Sequence, residues 1–238
     1  MQNYLFSIII PVFNEEKTLF FCIDAIQKQK CDFEYEIIVV DNNSTDNSYE
    51  VAKSLGVKVI KEKRKGVGWA RKTGTESVKG KYILNIDADT RLPKNYLAQV
   101  LKRFERDKKL VGVSGQIYYY DSTKLWQKMF RKIFHVGLYL VGRVLSFGKV
   151  GLMGNNMTFL REVYLKTNGF NPNMNYGEDM DLSKQLSKFG KVKIDFSLKC
   201  FVSSRRFKLD RRLWEYLCNF LWLCIFKMPY KNELPEMR

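Results

Sequence analysis

Two groups of carboxylates have the type and spacing to do chemistry. The first is Asp87-Ala88-Asp89-Thr90, which closes the apolar run Tyr82-Ile83-Leu84-Asn85-Ile86. Residues i and i+2 of a strand point to the same face, so both carboxylates can reach one point where the chain leaves the strand. At about 4 Å two such charges repel by roughly 1 kcal/mol in water, and by several times that in a partly dry site. A divalent cation removes the repulsion, and hard oxygen ligands suit Mg2+ or Mn2+. On its own such a pair also reads as a solvated turn. The second group is Glu178-Asp179-Met180-Asp181, three carboxylates in four positions ahead of an amphipathic helix predicted over 182–189. A helix N-terminus favours anions, which accounts for one of the three.

The elements that carry these groups follow from the hydrophobic pattern. Phe6-Ser7-Ile8-Ile9-Ile10-Pro11 reads as a buried strand ended by Pro11, followed by the loop Val12-Phe13-Asn14-Glu15-Glu16. Leu19, Cys22, Ile23 and Ile26 have helical spacing within 17–28. Glu36-Ile37-Ile38-Val39-Val40 is a second strand, running into the turn and cap cluster Asp41-Asn42-Asn43-Ser44-Thr45-Asp46 before a helix at 46–55. A short strand at 57–60, a loop at 65–68, a helix at 69–78 and the strand before Asp87 complete four strands and three helices. This alternation predicts an α/β fold, a parallel sheet with helices on both faces. Ligands bind such sheets outside the carboxyl ends of the strands, where the clusters 11–16, 41–46 and 87–90 all fall. Gly-x-Gly-x-x-Gly is absent after the first strand, which argues against a dinucleotide-dependent oxidoreductase.

Further on, a helix is predicted over 93–106 and strands over 110–115 and 117–120. The stretch 125–147 is apolar and aromatic with Lys128, Arg131, Lys132 and Arg143 interspersed, the pattern of an amphipathic helix lying at a membrane surface or of a lid or core helix. A Gly- and amide-rich loop, 151–156, offers Asn155 and Asn156 to an acceptor or phosphate and feeds a strand at 157–160. A short helix at 161–168, strands at 192–194 and 199–202, the basic run Ser203-Ser204-Arg205-Arg206-Phe207-Lys208 and a last amphipathic helix at 211–228 follow. The domain reading is one unit over 1–208, in two halves at 1–120 and 121–208, then a C-terminal amphipathic helix and tail at 209–238.

The net charge is +16. Residues 1–100 hold 15 basic and 13 acidic residues, 101–181 hold 13 and 7, and 182–238 hold 13 and 5. The excess lies in the later parts and suits an anionic partner or a lysine-rich solvated surface. The five cysteines show no Cys-x-x-Cys spacing, which implies reduced thiols and neither a disulfide framework nor a zinc site. The single histidine, His135, sits in an apolar run and reads as a satisfied or lipid-facing side chain. No signal peptide and no uninterrupted run of about 18 apolar residues is visible. These features predict a cytoplasmic protein, peripheral at the inner face of the membrane.

Four segments together resemble the family-2 glycosyltransferases of the GT-A fold: Ile9-Ile10-Pro11-Val12-Phe13-Asn14-Glu15-Glu16, Val39-Val40-Asp41-Asn42-Asn43-Ser44-Thr45-Asp46, Asn85-Ile86-Asp87-Ala88-Asp89 and Gly177-Glu178-Asp179-Met180-Asp181-Leu182. The resemblance spans about residues 6–208 and implies that 1–120 is the nucleotide-sugar-binding half and 121–208 the acceptor and catalytic half. It implies a nucleotide-sugar donor, UDP- or GDP-linked, a divalent metal (Mg2+ or Mn2+) and inversion at the anomeric carbon. It further implies that Pro11, Phe13 and Glu15 line the nucleoside pocket, Asp41 bonds the base and Arg71 sits by the nucleotide. Asp87 and Asp89 would hold ribose and metal. Asp179 would be the general base, with Glu178 and Asp181 orienting it. The sequence departs from the family at Lys65 and Lys72, where asparagines are usual, and it lacks the Gln-x-x-Arg-Trp of processive synthases; Arg211-Arg212-Leu213-Trp214 is a partial echo.

The chemistry of the residues agrees. A metal acts as a Lewis acid on a diphosphate leaving group, Arg205 or Arg206 can clamp phosphate oxygens or contact lipid phosphate, and inversion needs one carboxylate base. The acceptor implied is lipid-linked or a cell-envelope glycan, with peripheral contact to an anionic membrane and no nucleic acid. Two other readings compete. A nucleotidyltransferase needs a basic loop after the first strand, where Glu15-Glu16 stands. A non-catalytic module binding anionic membrane or nucleic acid rests on the charge alone and gives Asp87, Asp89 and Asp179 no task.

Overall fold

The computed structural model describes residues 4–122, 124–174, 176–205 and 211–226. β1 (Phe6–Val12), β2 (Tyr35–Asp41), β3 (Lys58–Lys61) and β4 (Tyr82–Ile86) alternate with α1 (Glu16–Gln27), α2 (Ser48–Ser54) and α3 (Val67–Glu76). α4 (Tyr96–Arg106), β5 (Leu110–Tyr119), α5 (Leu125–Leu145), β6 (Asn156–Leu160) and α6 (Arg161–Tyr164) come next, then α7 (Glu178–Leu186), β7 (Lys191–Val202) and α8 (Arg211–Phe226). The strands form one sheet in the order β3-β2-β1-β4-β6-β5-β7. All pairings are parallel except those of β6, which runs against both β4 and β5.

The centres of β1, β2 and β4 are runs of apolar residues because helices cover both faces. Ile8 and Ile10 pack in one cluster with Leu19 and Ile23 of α1 and Leu97 and Val100 of α4. Ile9, pointing the other way, packs with Ile38, Val40 and Ala70 of α3. Gly74 lets α3 lie against the sheet: a Cβ there would stand 2.5 Å from the Ile9 side chain.

Several boundaries differ from the sequence reading. Pro11 lies inside β1, opposite Val40, because the pairing with β2 continues to Val12. Residues 93–95 form a turn rather than helix, with the Tyr96 N–H donating to the Pro93 carbonyl at 2.9 Å. The two strands read at 110–120 are one, as are those at 192–202. A register shift where Gly115-Gln116 faces Asp195 and Lys199 absorbs the break seen in the sequence. A Cβ on Gly115 would lie 2.5 Å from the Leu198 carbonyl oxygen, so the shift needs glycine. α7 begins at Glu178, not at Leu182. Gly177 takes φ +79° immediately before it, which places all three acids in the first turn.

α8 packs on the sheet domain. Phe220, Leu223 and Cys224 form a third cluster with Val150, Met174 and Met180. Two glycines make room for it. A Cβ on Gly177 would meet Leu223 at 2.1 Å, and one on Gly142 would meet Phe220 at 2.6 Å. The boundary read at 208–209 and the candidate Arg206 lie outside the described residues.

Candidate active site

The carboxyl ends of β1, β2 and β4 and the first turn of α7 open on one cleft of about 400 Å3. Such a volume is within the range of about 300–1,000 Å3 typical of small-molecule sites. Pro11, Phe13 and Glu15 line it from the end of β1, Asp87 from the end of β4, Arg71 from α3, Asn155 from the loop before β6, and Glu178 and Asp179 from α7.

The loops after β1 and β2 brace each other. The Glu15 N–H donates to Ser48 Oγ at 2.7 Å, the Thr45 N–H to Asn14 Oδ1 at 2.8 Å and the Glu16 N–H to Asp46 Oδ2 at 3.1 Å. Asn14 takes φ +55° to do this. The polar cluster 43–48 therefore acts largely through backbone support. Asp41 is buried and accepts from the Ser44 N–H at 3.3 Å. Its neighbour Asn42, which the sequence reading passed over, lines the cleft and pins the loop after β3. It accepts from the Gly66 N–H at 2.8 Å and donates to the Arg64 carbonyl at 2.6 Å. Lys65 thus sits in a loop held by an asparagine supplied from β2's end.

Arg71 links the two acidic groups. Its buried guanidinium lies 2.9 Å from Asp87 Oδ1 and 3.3 Å from Glu178 Oε1, while its Nε has no hydrogen-bond partner. Gly154 permits this approach, since a Cβ there would stand 2.3 Å from Arg71 Nη1. The same glycine donates its N–H to Asp179 Oδ2 at 2.7 Å, and the Met180 N–H donates to Oδ1 at 2.8 Å. Each carboxylate oxygen has two lone pairs, so Asp179 stays oriented with acceptor capacity left. Burial pushes Glu178 up to about 7, with Arg71 opposing the shift and Asp179 adding to it. A buried carboxyl resists ionising even beside a cation when desolvation exceeds the attraction.

Asp89 is buried, with Arg205 Nε 3.4 Å from its Oδ2; the same guanidinium also pairs with Glu15. Arg205 thereby joins the ends of β1 and β4 to the chain leaving β7. Two sequence candidates are occupied elsewhere. The Asn156 amide is fully buried and bridges β6 to β5, accepting from the Gly115 N–H at 2.5 Å and donating to its carbonyl at 3.2 Å. Asp181 accepts from Gln185 Nε2 at 2.7 Å within α7. His135 bonds the Tyr119 hydroxyl at 2.6 Å, and burial, with Arg131 nearby, lowers it to about 4. It lines the deep part of the cleft as a neutral, satisfied ring. All five cysteines are free thiols.

A family model described as glycosyl transferase family 2 matches residues 7–167, more than half of the chain. The chain belongs to glycosyl transferase family 2. Among curated members of the family, Glycosyltransferase GlyG of Streptococcus pneumoniae is 32% identical over 128 residues, covering 51% of this chain and 42% of that protein. The minor teichoic acid biosynthesis protein GgaA of Bacillus subtilis is 25% identical over 192 residues, 76% of this chain and 43% of that one. The chain thus spans less than half the length of these relatives. Among solved structures, mannosyltransferase PcManGT from Pyrobaculum calidifontis, in complex with GDP-Man and Mn2+, superposes with a TM-score of 0.72 at 18% identity, covering all of this chain and 67% of that one. S. aureus TarS 1-349 gives 0.66 at 16% identity, covering 95% and 72%. These likenesses establish the GT-A fold. With membership shown, the nucleotidyltransferase and the purely electrostatic binding module lose their footing.

Proposed function

We propose that this family-2 protein is an inverting, metal-dependent glycosyltransferase that moves a sugar from a UDP- or GDP-linked donor to a hydroxyl acceptor. The observation that carries the reading is the Arg71 link, which puts the Asp87 end of β4 and the Glu178-Asp179 turn of α7 on one cleft. The donor classes are those named with the PcManGT and TarS structures, GDP-Man and UDP-GlcNAc.

The residues fit Mg2+ or Mn2+. Among the described residues no cluster of three or more metal-ligating side chains exists. Asp87 and Asp89 supply two hard oxygen donors, and such ions are commonly held by one or two carboxylates plus substrate phosphates. When bound, the metal would neutralise charge on the diphosphate leaving group. The chain's own groups do the rest. Pro11 and Phe13 offer apolar contact and Glu15 and Asp41 polar contact to the nucleoside. Arg71, with its unpartnered Nε, and Arg205 face the phosphate side. Asp179, fixed by the Gly154 N–H, accepts the proton of the attacking hydroxyl, while Glu178 sets the local charge.

For the acceptor we propose a lipid-linked or cell-envelope glycan, in keeping with the teichoic acid relatives, and a site of action on the cytoplasmic face of an anionic membrane. α5 supports the membrane contact. Leu125 and Val144 are 72% and 74% exposed, and Lys128 and Lys132 are exposed on the same helix. No described helix is long and apolar enough to cross a membrane. The deciding experiment is a thermal-shift screen of UDP, GDP, CMP and ADP with Mn2+. A ligand at 100 times its Kd stabilises by about 2.7 kcal/mol. A metal-dependent rise with UDP or GDP, absent in Asp89→Ala, is the expected result; indifference to every nucleotide would refute the donor assignment.

A further inference from the structure

The cleft continues past the carboxylates. Its lining includes a set of apolar and aromatic side chains: Leu138 and Tyr139 of α5, Val150, Ile194, and Phe220 of α8. Leu138 also lines a second cavity, a groove of about 410 Å3 between α5 and α8. Ile133, Phe134 and Val141 wall it from one side and Trp214, Leu217 and Leu221 from the other. No charged side chain among the described residues lines it. Ile133 and Trp214 nevertheless face water over 67% and 71% of their surface. Contiguous apolar area held open to solvent is unfavourable and marks a binding surface.

We infer that this groove is the subsite for the hydrocarbon chain of an amphiphilic acceptor, whose hydroxyl-bearing head lies at Asp179. The head assignment rests on the transferase reading; the chain assignment rests on the groove itself. Adjacency is the first argument, because Leu138 lines both cavities and a chain in the groove starts beside the cleft. Chemistry is the second, because the lining offers an occupant dispersion contacts and burial but no ion pair. Size is the third. α5 and α8 close to contact where Gly142 meets Phe220, and a partner helix about 10–12 Å across needs a wider trough. A single chain fits; the flat surface of a bilayer does not enter.

Gly137 makes the test clean. It lines the groove, and a Cβ added there meets nothing within 4 Å. Gly137→Trp therefore fills the groove from within the helix. The probe is hexadecyl alcohol carrying a diazirine on its chain, photo-crosslinked to the full-length protein and mapped by peptide mass spectrometry. Crosslinks should concentrate at 133–141 and 214–221. In Gly137→Trp they should fall by about tenfold, equivalent to ~1.4 kcal/mol of chain affinity, with the Mn2+–nucleotide thermal shift unchanged. Equal labelling in the variant, or labelling spread evenly over the outer faces of α5, overturns the inference. So does a groove that takes no label because the protein's own chain covers it. Groove labelling lost in the variant, together with no nucleotide shift in either protein, would leave the chain subsite standing and remove the transferase reading.

Discussion

Asp179 and Gly154 work as a pair, and each gives a distinct prediction. General acid–base groups contribute typically 10²–10⁴-fold. Asp179→Asn should therefore lower kcat by about that range while the nucleotide thermal shift persists; turnover left intact in the variant would remove Asp179 as the base. Gly154→Ala should destabilise by about 1–3 kcal/mol, the usual cost of overpacking, since its Cβ would lie 2.3 Å from the Arg71 guanidinium. Gly137→Ala is the matched control. It adds a methyl in open space inside a helix and should stabilise by about 0.5–1 kcal/mol. Urea denaturation of both variants checks the contrast. Glu178 gives a pH signature. Its folded value is raised from 4.5 to about 7, so the native state holds the proton more tightly than the unfolded chain. Its contribution to stability is fully present below about 4.5 and is lost as pH rises through about 7. Glu178→Gln should remove that downward slope from a stability–pH curve. The acids themselves were visible as sequence clusters. Gly154 and Asn42 were not, because one acts through a backbone N–H on a residue far along the chain and the other through carbonyls of a loop. Asn156 looked like a site residue because amide-rich loops often are, yet strand pairing claims both ends of its amide.

The elements of the first half were legible because strands covered on both faces are continuous apolar runs, and the intervening helices repeat with a different period. β6 illustrates what pattern cannot carry. Met157-Thr158-Phe159-Leu160 reads as a strand in either direction, and its antiparallel sense comes from partners on both sides. The start of α7 was read one turn late because Glu178, Asp179 and Asp181 look like a cap when they are the first turn itself. α8 reads in the sequence as an appendage, whereas Phe220 lines the cleft and Leu223 packs on Gly177, the residue before the first turn of α7. Leu223→Ala should cost about 2–5 kcal/mol, as buried leucine truncations do. Because Leu223 packs on Gly177, it should also weaken turnover in samples that remain folded at low temperature. Unchanged stability would show that α8 does not anchor there.

For the whole molecule, the charge excess and the exposed face of α5 predict association with anionic vesicles. Sedimentation with phosphatidylglycerol vesicles should be strong at low salt and weaken as salt approaches the molar range, where the Debye length is about 3 Å. A hydrophobic component should remain, and Leu125→Glu with Val144→Glu should remove it. Failure to sediment at low salt would exclude the peripheral assignment. Net charge pointed to an anionic partner without choosing among membrane, nucleotide and nucleic acid. Exposed Leu125 and Val144 share α5 with exposed Lys128 and Lys132, which favours lipid.

The reversed strand has a consequence for how such a protein diversifies. β6 runs against its neighbours, so the segment before it, 151–155, emerges at the same rim as the segments after β1, β2 and β4. The rim is thus assembled from two sets of segments: 11–16, 41–46 and 87–90, which the proposed function assigns to the nucleotide, and 151–155 with the first turn of α7, which it assigns to the acceptor. On that proposal, mutations that retune acceptor choice can accumulate in the second set while the first keeps its donor, with Arg71 and Arg205 as side-chain ties across the rim. Descendants of one ancestral gene could then share a sugar donor and differ in what they glycosylate. A chimera that exchanges 121–226 between two relatives should inherit its donor from one parent and its acceptor from the other.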